Sequence, residues 1–476
     1  MGWLSDPSKL GSKIDGHAEF AAGGYDAIEP KGRRRPPSGN NQSEDLVLTQ
    51  RRRDLVSSQA KDLHRNYAVA RFMIDQHLDY NTEFDCYSSA GDQFGSFDDD
   101  FEWWLADVSK KERFDAAGRH SLPSYLRLQE CRCILDGDLG SLKITDGTLQ
   151  AIESDLIRNP TQQIGSRWEN GLKLGPANRV LAYAVADRQG KGYTPTREIP
   201  ANRMYLKAAF DRFSQGRGIS PFTSAHNSLQ DAFEGSDYTL AKMKAESLFA
   251  AAVFRDSETA LGPFTEENAT ASAVQSPRRK YEIDLGRGPI ILDMDPGDDI
   301  KFLQSDSPGG NVREFLAFTI MVAMKSLGMP YSFFDGTATN FFGRRADWLQ
   351  YERHCIPIRR GNADWLNWWL AWRVQLAVQD KELKLPRGLS LRRPWWEWVP
   401  LGMPWWQPER EISGDLAAIK AGFDSPRRIC RARGKGDYRK ILREIKEDKA
   451  LAAAEGVSLD WSPIPIIVGP NEEIVN

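Results

Sequence analysis

One feature constrains this fold most: two helix-forming segments flank a stretch that is rich in turn-forming residues. Residues 219–255 begin with Ser220 and Pro221, a cap and first turn that favour a helix, and are rich in alanine further on. Residues 311–328 form a second, almost wholly apolar helical segment that ends before Pro330. Such a helix must be buried on most sides, either in a core or between subunits.

The intervening residues 256–310 read as a small, strand-rich insertion. Short apolar runs in this segment are bounded by turn-forming phrases such as Gly-Arg-Gly-Pro and Ser-Pro-Gly-Gly. The order helix, strand-rich insertion, helix is therefore predicted for the middle of the chain.

Composition indicates a globular protein with several domains. The chain has 476 residues, of which 41% are hydrophobic and 27% charged, and a formal net charge of -3. This charge gives no overall attraction for a polyanion, so any contact with nucleic acid must be local or weak. The five scattered cysteines fit a reducing compartment, and no uninterrupted apolar run reaches the roughly 18 residues that a membrane span needs.

The rest of the chain is predicted to be α+β. Residues 1–45 are a Gly-, Pro- and Ser-rich mobile arm with a basic run, and residues 46–78 have the periodicity of one long amphipathic helix. Further helices and short strands, among them Met204–Ala208, are predicted up to residue 218. After residue 343 we expect a long helix interrupted at Pro357 and Gly361, then a Trp- and Pro-rich segment, and finally a pair of polar helices.

Motifs of nucleotide-dependent, zinc-dependent and serine-dependent catalysis are missing from the sequence. The pairs Gly190-Lys191 and Gly434-Lys435 are each followed by glycine, so neither completes a phosphate-binding loop. The six histidines form no local cluster. We therefore predict no catalytic residue, no bound metal and no cofactor, and expect that the chain is not an enzyme.

One run of carboxylates, between Asp293 and Asp299, has two interpretations. Alternating aspartates can hold Mg²⁺ for phosphodiester cleavage, which would make the chain a metal-dependent DNA-processing enzyme. The Pro296-Gly297 pair equally suits a turn after a strand, and we favour the turn. Tryptophans 365, 368, 369 and 372 share one helical face, which favours packing over a base-stacking platform.

Several phrases, in their order and spacing, resemble the lambda-type portal proteins of tailed phages over roughly residues 45–455. The most specific is Arg212–Ser220, which is similar to the family phrase P-x-Q-x-R-G-x-S. Residues 62–66, 199–201 and 327–331 resemble other family phrases. Asn340 and Arg345 match a family motif in which Phe342 and Gly343 here replace two serines.

The resemblance implies an α+β, mainly helical portal fold that assembles as a ring of about twelve subunits. Its regions would be the arm (1–45), wing (46–218), first stem helix (219–255), clip (256–310), second stem helix (311–330), tunnel loop (331–343), wing helix with the Trp/Pro-rich segment (344–408), and crown with C-terminal helices and tail (409–476).

The implied function is to form the channel at a capsid vertex for DNA packaging and ejection. Expected partners are further copies of the chain, double-stranded DNA without sequence specificity, the terminase large subunit, head-tail connector or adaptor proteins, and the major capsid and scaffold proteins. The expected location is the portal vertex of the virion, after assembly in the host cytoplasm, with no membrane contact. Another structural head-tail connector protein is an alternative identity.

Two sets of residues are candidates for DNA contact on this basis. The tunnel-loop set is expected either to face DNA or to pack against neighbouring subunits, and comprises Tyr331, Phe333, Phe334, Asn340, Phe341, Phe342 and Arg345. The crown set either touches packaged DNA or forms an ordinary solvated helix surface, and comprises Arg427, Arg428, Arg431, Arg433 and Lys435.

Overall fold

A computed structural model describes most of the chain. The described residues are 43–88, 90, 95–160, 167–190, 192–248, 251–255, 298–302, 310–337, 339–391, 394–402 and 406–457. Residues 1–42 of the predicted arm, most of the predicted clip (256–297 and 303–309) and the tail after residue 457 lie outside them. The clip aspartates at 293 and 295 are therefore also outside the described part.

Helices form the larger part of the described fold. In chain order they are α1 (Glu44–Val47), α2 (Gln50–Asn66), α3 (Ala68–Asn81), α4 (Gly95–Val108), α5 (Lys111–Phe114), α6 (Leu122–Asp136), α7 (His226–Leu248), α8 (Gly310–Met324), α9 (Phe341–Gln379), α10 (Pro408–Lys420), α11 (Pro426–Ala432) and α12 (Tyr438–Ala454). Short 3₁₀ turns flank several of them, including Pro221–Ala225 before α7 and Tyr331–Phe333 after α8.

The strands are short and pair antiparallel. They are β1 (Phe84–Ser88), β2 (Asp138–Lys143), β3 (Leu149–Glu153), β4 (Trp168–Glu169), β5 (Leu172–Leu174), β6 (Val180–Val185), β7 (Arg188–Gln189), β8 (Gly192–Tyr193), β9 (Arg197–Pro200), β10 (Met204–Ala208), β11 (Ala251–Arg255), β12 (Asp298–Phe302) and β13 (Trp396–Pro400). The larger sheets have the orders β10-β2-β3 and β4-β5-β6-β9, and β1 pairs with the distant β13.

Three apolar cores hold these elements together. The first joins α2, α3, α6, α7 and α8 to the start of α9, with Met73, Met324 and Tyr351 fully buried. The second is aromatic, with Trp365 and Trp369 of α9 at its centre. The third lies under the small sheets. The tryptophan-rich face of α9 is therefore packing surface, as the spacing predicted.

Two helix predictions were wrong in part, one because the helix is divided and one because it ends earlier. The single helix expected over 46–78 is divided at Tyr67, whose extended backbone lets its ring pack edge-on against Phe233 at 5.3 Å. The stem helix expected to run to residue 255 ends at Leu248, because residues 251–255 pair as β11 with β12.

Two further predictions, on the long helix and the C-terminal helices, were also wrong. The helix α9 runs without interruption through Pro357 and Gly361. Pro357 lies on the exposed side, where water can satisfy the carbonyl group that lacks its usual N–H donor. The C-terminal pair of helices is a trio, since α11 is a separate short helix that Ser425 caps by accepting from the Arg428 amide.

Candidate functional site

The buried Arg217 fixes the segment before α7 to the small sheets. Its guanidinium donates to both oxygens of Asp138, with Nε–Oδ2 and Nη2–Oδ1 distances of 2.7 and 2.9 Å, and both side chains are fully buried. It also donates to the carbonyls of Ser154, Ile157 and Asn170. A planar fork with five donors is the side chain that can satisfy so many acceptors at one point.

A second arginine shares the same carboxylate. Arg53 donates to Asp138 at 3.0 Å and to the Gly218 carbonyl at 2.8 Å. Burial, followed by the charge of Arg217, lowers the pKa of Arg53 to about 10. Burial alone would raise the pKa of Asp138, but the two guanidinium groups outweigh it and the pKa is lowered. The site is therefore an ionised cluster of two cations and one anion.

The other residues of the Arg212–Ser220 phrase have structural roles too. A Cβ atom on Gly218 would lie 1.9 Å from the Gly137 carbonyl oxygen, so only glycine fits there. The Gln215 amide bridges the loop by donating to the Arg217 carbonyl at 2.7 Å, and the Ser220 hydroxyl donates to the Ile134 carbonyl. The phrase thus connects the small sheets to the segment that leads into α7, a role that its sequence alone did not reveal.

The helices α7 and α8 pack side by side and leave an apolar groove beside the loop that follows them. The groove has a volume of about 480 Å³ and is open at the surface. Its apolar lining comes from α7 (Leu240, Met243), α8 (Val312, Leu316, Ala317, Ile320) and the loop (Tyr331, Phe334). Arg313 and Asp335 stand among the lining residues as its charged groups.

Parts of the predicted tunnel loop, 331–343, pack against the rest of the same subunit. Phe333 stacks on Tyr80 at 5.8 Å and meets Tyr351 edge-on at 5.2 Å, so it belongs to the first core. The Asn340 side chain caps α9 by accepting from the Gly343 amide at 2.8 Å. The last three residues of the predicted loop are therefore the first turn of α9.

Three phenylalanines of the loop set remain exposed to different degrees. Phe342 is the most exposed, whereas Phe334 and Phe341 keep about two fifths of their surface accessible. Phe341 also packs against Trp406 at 5.8 Å, and Phe334 lies 6.3 Å from the Phe72 ring. These side chains form the accessible aromatic part of the loop.

A buried carboxylate, Glu411 of α10, holds arginines from both predicted DNA-contact sets. It lies 3.2 Å from Arg345 of α9 and 2.9 Å from Arg433, which also contacts Asp415 at 3.3 Å. No pattern in the sequence indicated these pairs, because partners so far apart in the chain share no periodicity. Glu411 thus engages two of the twelve candidate residues inside the subunit.

Three of the four remaining crown candidates also have neighbours in the chain. Arg431 forms an ion pair with Glu397 of β13, and Arg428 lies 3.6 Å from Asp424. Lys435 has an interaction within the chain as well. A DNA contact by this set remains a prediction.

The suspected metal site gains no support from the described residues. Asp298 and Asp299 belong to β12, where they stand opposite Arg255 and Phe254 of β11. Within the described ranges no group of three or more His, Cys, Asp or Glu residues is arranged to hold a metal ion. No described helix combines the length and apolar character required to cross a bilayer.

Residues 32–359 match the family described as "Phage portal protein, lambda family". The chain belongs to this portal family. The match includes Arg217, the helices α7 and α8, the loop after them and the first half of α9. Proteins of this family are structural rather than catalytic.

Similar proteins come from phages and phage-like particles. A probable portal protein of Halomonas phage phiHAP-1 is 24% identical over 378 residues, which cover 73% of this chain and 69% of the relative. Among solved structures, a chain of the virion of a native gene transfer agent particle has a TM-score of 0.47 and 13% identity, with 82% of this chain and 93% of that chain covered. A chain from the neck of an empty gene transfer agent particle has a TM-score of 0.48 and 14% identity, with 78% and 92% covered.

Proposed function

We propose that this portal-family chain is one subunit of the ring through which DNA enters and leaves a phage capsid. Membership of the family is the observation that carries the proposal, since the match spans residues 32–359 and so includes α7, α8 and the loop after them. In this role the ring sits at the portal vertex of the virion after assembly in the host cytoplasm. It docks the terminase large subunit during packaging and later the head-tail connector proteins, alongside the major capsid and scaffold proteins.

The physical properties of the chain suit a conduit for DNA of any sequence. Each phosphate contact would add affinity and friction together, and the net charge of -3 provides no strong general attraction. In the proposed ring, the loop 331–343 lies at the narrowest part of the channel and presents uncharged aromatic groups such as Phe334. Uncharged groups can touch the duplex without holding its phosphates.

The proposal is tested by the mass and image of the purified particle. Native mass measurement and electron microscopy should find a closed ring of about a dozen copies, because identical subunits joined by one repeated contact close into a cycle. A protein that stays monomeric over a wide concentration range, with and without scaffold protein, would contradict the proposal.

A further inference from the structure

An apolar face on α8 is left uncovered by the subunit's own fold. Phe315, Phe318 and Val322 are 60%, 58% and 44% exposed, and their spacing of three and four places them on one side of the helix. The opposite side is buried, with Ile320 and Met324 in the first core. Two exposed phenylalanines one turn apart form a coherent contact surface rather than scattered apolar residues.

The first half of α9 has a second uncovered apolar seam. Phe342, Leu349 and Ile356 are 76%, 51% and 41% exposed and follow one another at intervals of seven residues. A seven-residue repeat keeps apolar side chains in line along a helix, as at the seam of a coiled coil. Tyr351 and Cys355 on the other side of the same turns are fully buried.

The charges beside the α9 seam are basic. Arg353 and Arg360 are exposed and lie one helical turn after Leu349 and Ile356, on the side of the seam, whereas the exposed Arg344 lies on the other side of α9. The two acidic side chains of the same stretch are less exposed and engaged within the subunit, since Asp347 accepts from Ser332 at 2.6 Å and Glu352 accepts from Arg359.

The charges in the first part of α7 are acidic. Asp231, Glu234 and Asp237 of α7 are exposed, and no lysine or arginine occurs between His226 and Leu240. On α8, Glu314 is exposed one turn before Phe318, and Lys325 is exposed about one turn after Val322. The exposed lysines of α7, at 242 and 244, lie further out along the helix.

We propose that the α8 face of one subunit packs against the α9 seam of the next copy, with the α7 carboxylates meeting the α9 arginines. The proposal rests on the ring function proposed above. Both faces are apolar helix surfaces, and their flanking charges are opposite, whereas pairing either face with its own copy would bring like charges together. Because two different faces meet, the contact is head-to-tail and repeats around a ring instead of closing a dimer.

The direct test uses one disruptive substitution in each face. Phe318→Asp and Leu349→Asp should each weaken ring assembly by at least about tenfold, because an aspartate would be buried unpaired among apolar groups. Leu128→Asp, at an exposed leucine of α6, is the matched control and should assemble as the parent chain does. Circular dichroism and thermal melting of the separate subunits check that each variant is folded.

Mixing the two variants distinguishes a head-to-tail contact from a symmetric one. The Phe318→Asp chain keeps an intact α9 seam and the Leu349→Asp chain keeps an intact α8 face. One productive contact therefore remains, and native mass measurement should find one-to-one pairs that cannot grow into rings. Absence of such pairs, or rings formed by both single variants, would overturn the proposal.

Charge reversal tests the same contact without disturbing its apolar part. Replacing Asp231, Glu234 and Asp237 with lysine, or Arg353 and Arg360 with glutamate, should weaken rings, whereas a chain with both sets reversed should regain them. Persistent failure of the doubly reversed, folded chain would count against the proposal. If the parent chain and every variant form rings equally well, this interface is wrong while the ring function stands. If the parent chain itself is monomeric, the proposed ring function is wrong.

Discussion

At the residue scale, the pairing of Arg217 with Asp138 shows how a buried charge can be retained in a structural protein. Removing two ions from water is costly, and the cluster offsets this cost by satisfying nearly every donor of the Arg217 fork. The geometry fixes where α7 begins relative to β2, which starts with Asp138. The start of α7 is therefore held in one defined position relative to the small sheets.

Arg217→Lys should therefore be severely destabilising although it conserves the charge. Lysine cannot reach two carboxylate oxygens and the carbonyls at once, so buried acceptors would lose their partners, at a cost of about 3 to 5 kcal/mol in unfolding free energy. Urea unfolding followed by circular dichroism measures the effect. Arg212→Lys is the control, since Arg212 is partly exposed, and it should change stability by less than about 0.5 kcal/mol. Equal effects of the two substitutions would contradict the role assigned to Arg217.

A second residue-scale prediction concerns pH. His77 is fully buried beside the Tyr351 hydroxyl, 3.0 Å from its Nδ1, and burial lowers the pKa of His77 from 6.5 to about 4. Between those values the unfolded chain takes up a proton that the native chain does not, so stability falls as pH falls. The loss from this group approaches about 3 kcal/mol near pH 4.

His77→Gln should flatten this part of the stability profile between pH 6.5 and 4. Tyr351→Phe, which keeps the histidine and removes only the hydroxyl, should lower stability at every pH and leave the slope in place. Urea midpoints at pH 7, 6, 5 and 4 measure both profiles. An unchanged slope in His77→Gln would show that other groups govern the acid sensitivity.

At the element scale, periodicity predicted where most helices and strands lie but not where tertiary contacts end them. The strand Met204–Ala208 was predicted with the bounds that it has, because apolar alternation and its turns are local features. The end of α7 at Leu248 depends on β12, some fifty residues further along the chain, and no local pattern indicated it. The continuation of α9 through Pro357 likewise depends on the exposure of that residue, which the sequence could not predict.

The docking of α10 on the start of α9 leads to an element-scale prediction. Glu411→Gln should loosen the C-terminal helices, because Arg345 and Arg433 lose the carboxylate between them. The two arginines are partly exposed, so the local unfolding free energy should fall by on the order of 1 to 2 kcal/mol. Limited proteolysis around residues 400–407 should accelerate, whereas Glu409→Gln, at an exposed position on the same helix, should not change it. Equal cleavage rates for both variants would argue against the proposed role of Glu411 in holding Arg345 and Arg433.

At the scale of the whole molecule, the family could be identified from short phrases while their roles could not. The Arg212–Ser220 phrase pointed to portals, yet its partner Asp138 lies 79 residues earlier in the chain and carries no recognisable pattern of its own. Of the predicted loop residues, Phe333 and Asn340 proved to be parts of the subunit's own packing and capping. Composition alone could not separate such side chains from accessible ones such as Phe342.

Shortening the loop tests the proposed channel at the level of the assembled particle. Deleting residues 335–339 removes the middle of the loop but keeps Asn340, whose side chain caps α9, and leaves both proposed ring-forming faces intact. Rings should therefore still form, while the DNA retained in filled heads should become shorter, because the aromatic groups no longer reach the duplex. Phe334→Ser is the matched point substitution, since it removes one accessible ring from the same loop, and it should lower retention to a smaller extent. Particle imaging and the length of packaged DNA provide the two readings. Normal retention in both variants would exclude the loop from the passage of DNA, whereas failure of the deleted chain to form rings would assign the loop to contacts between subunits.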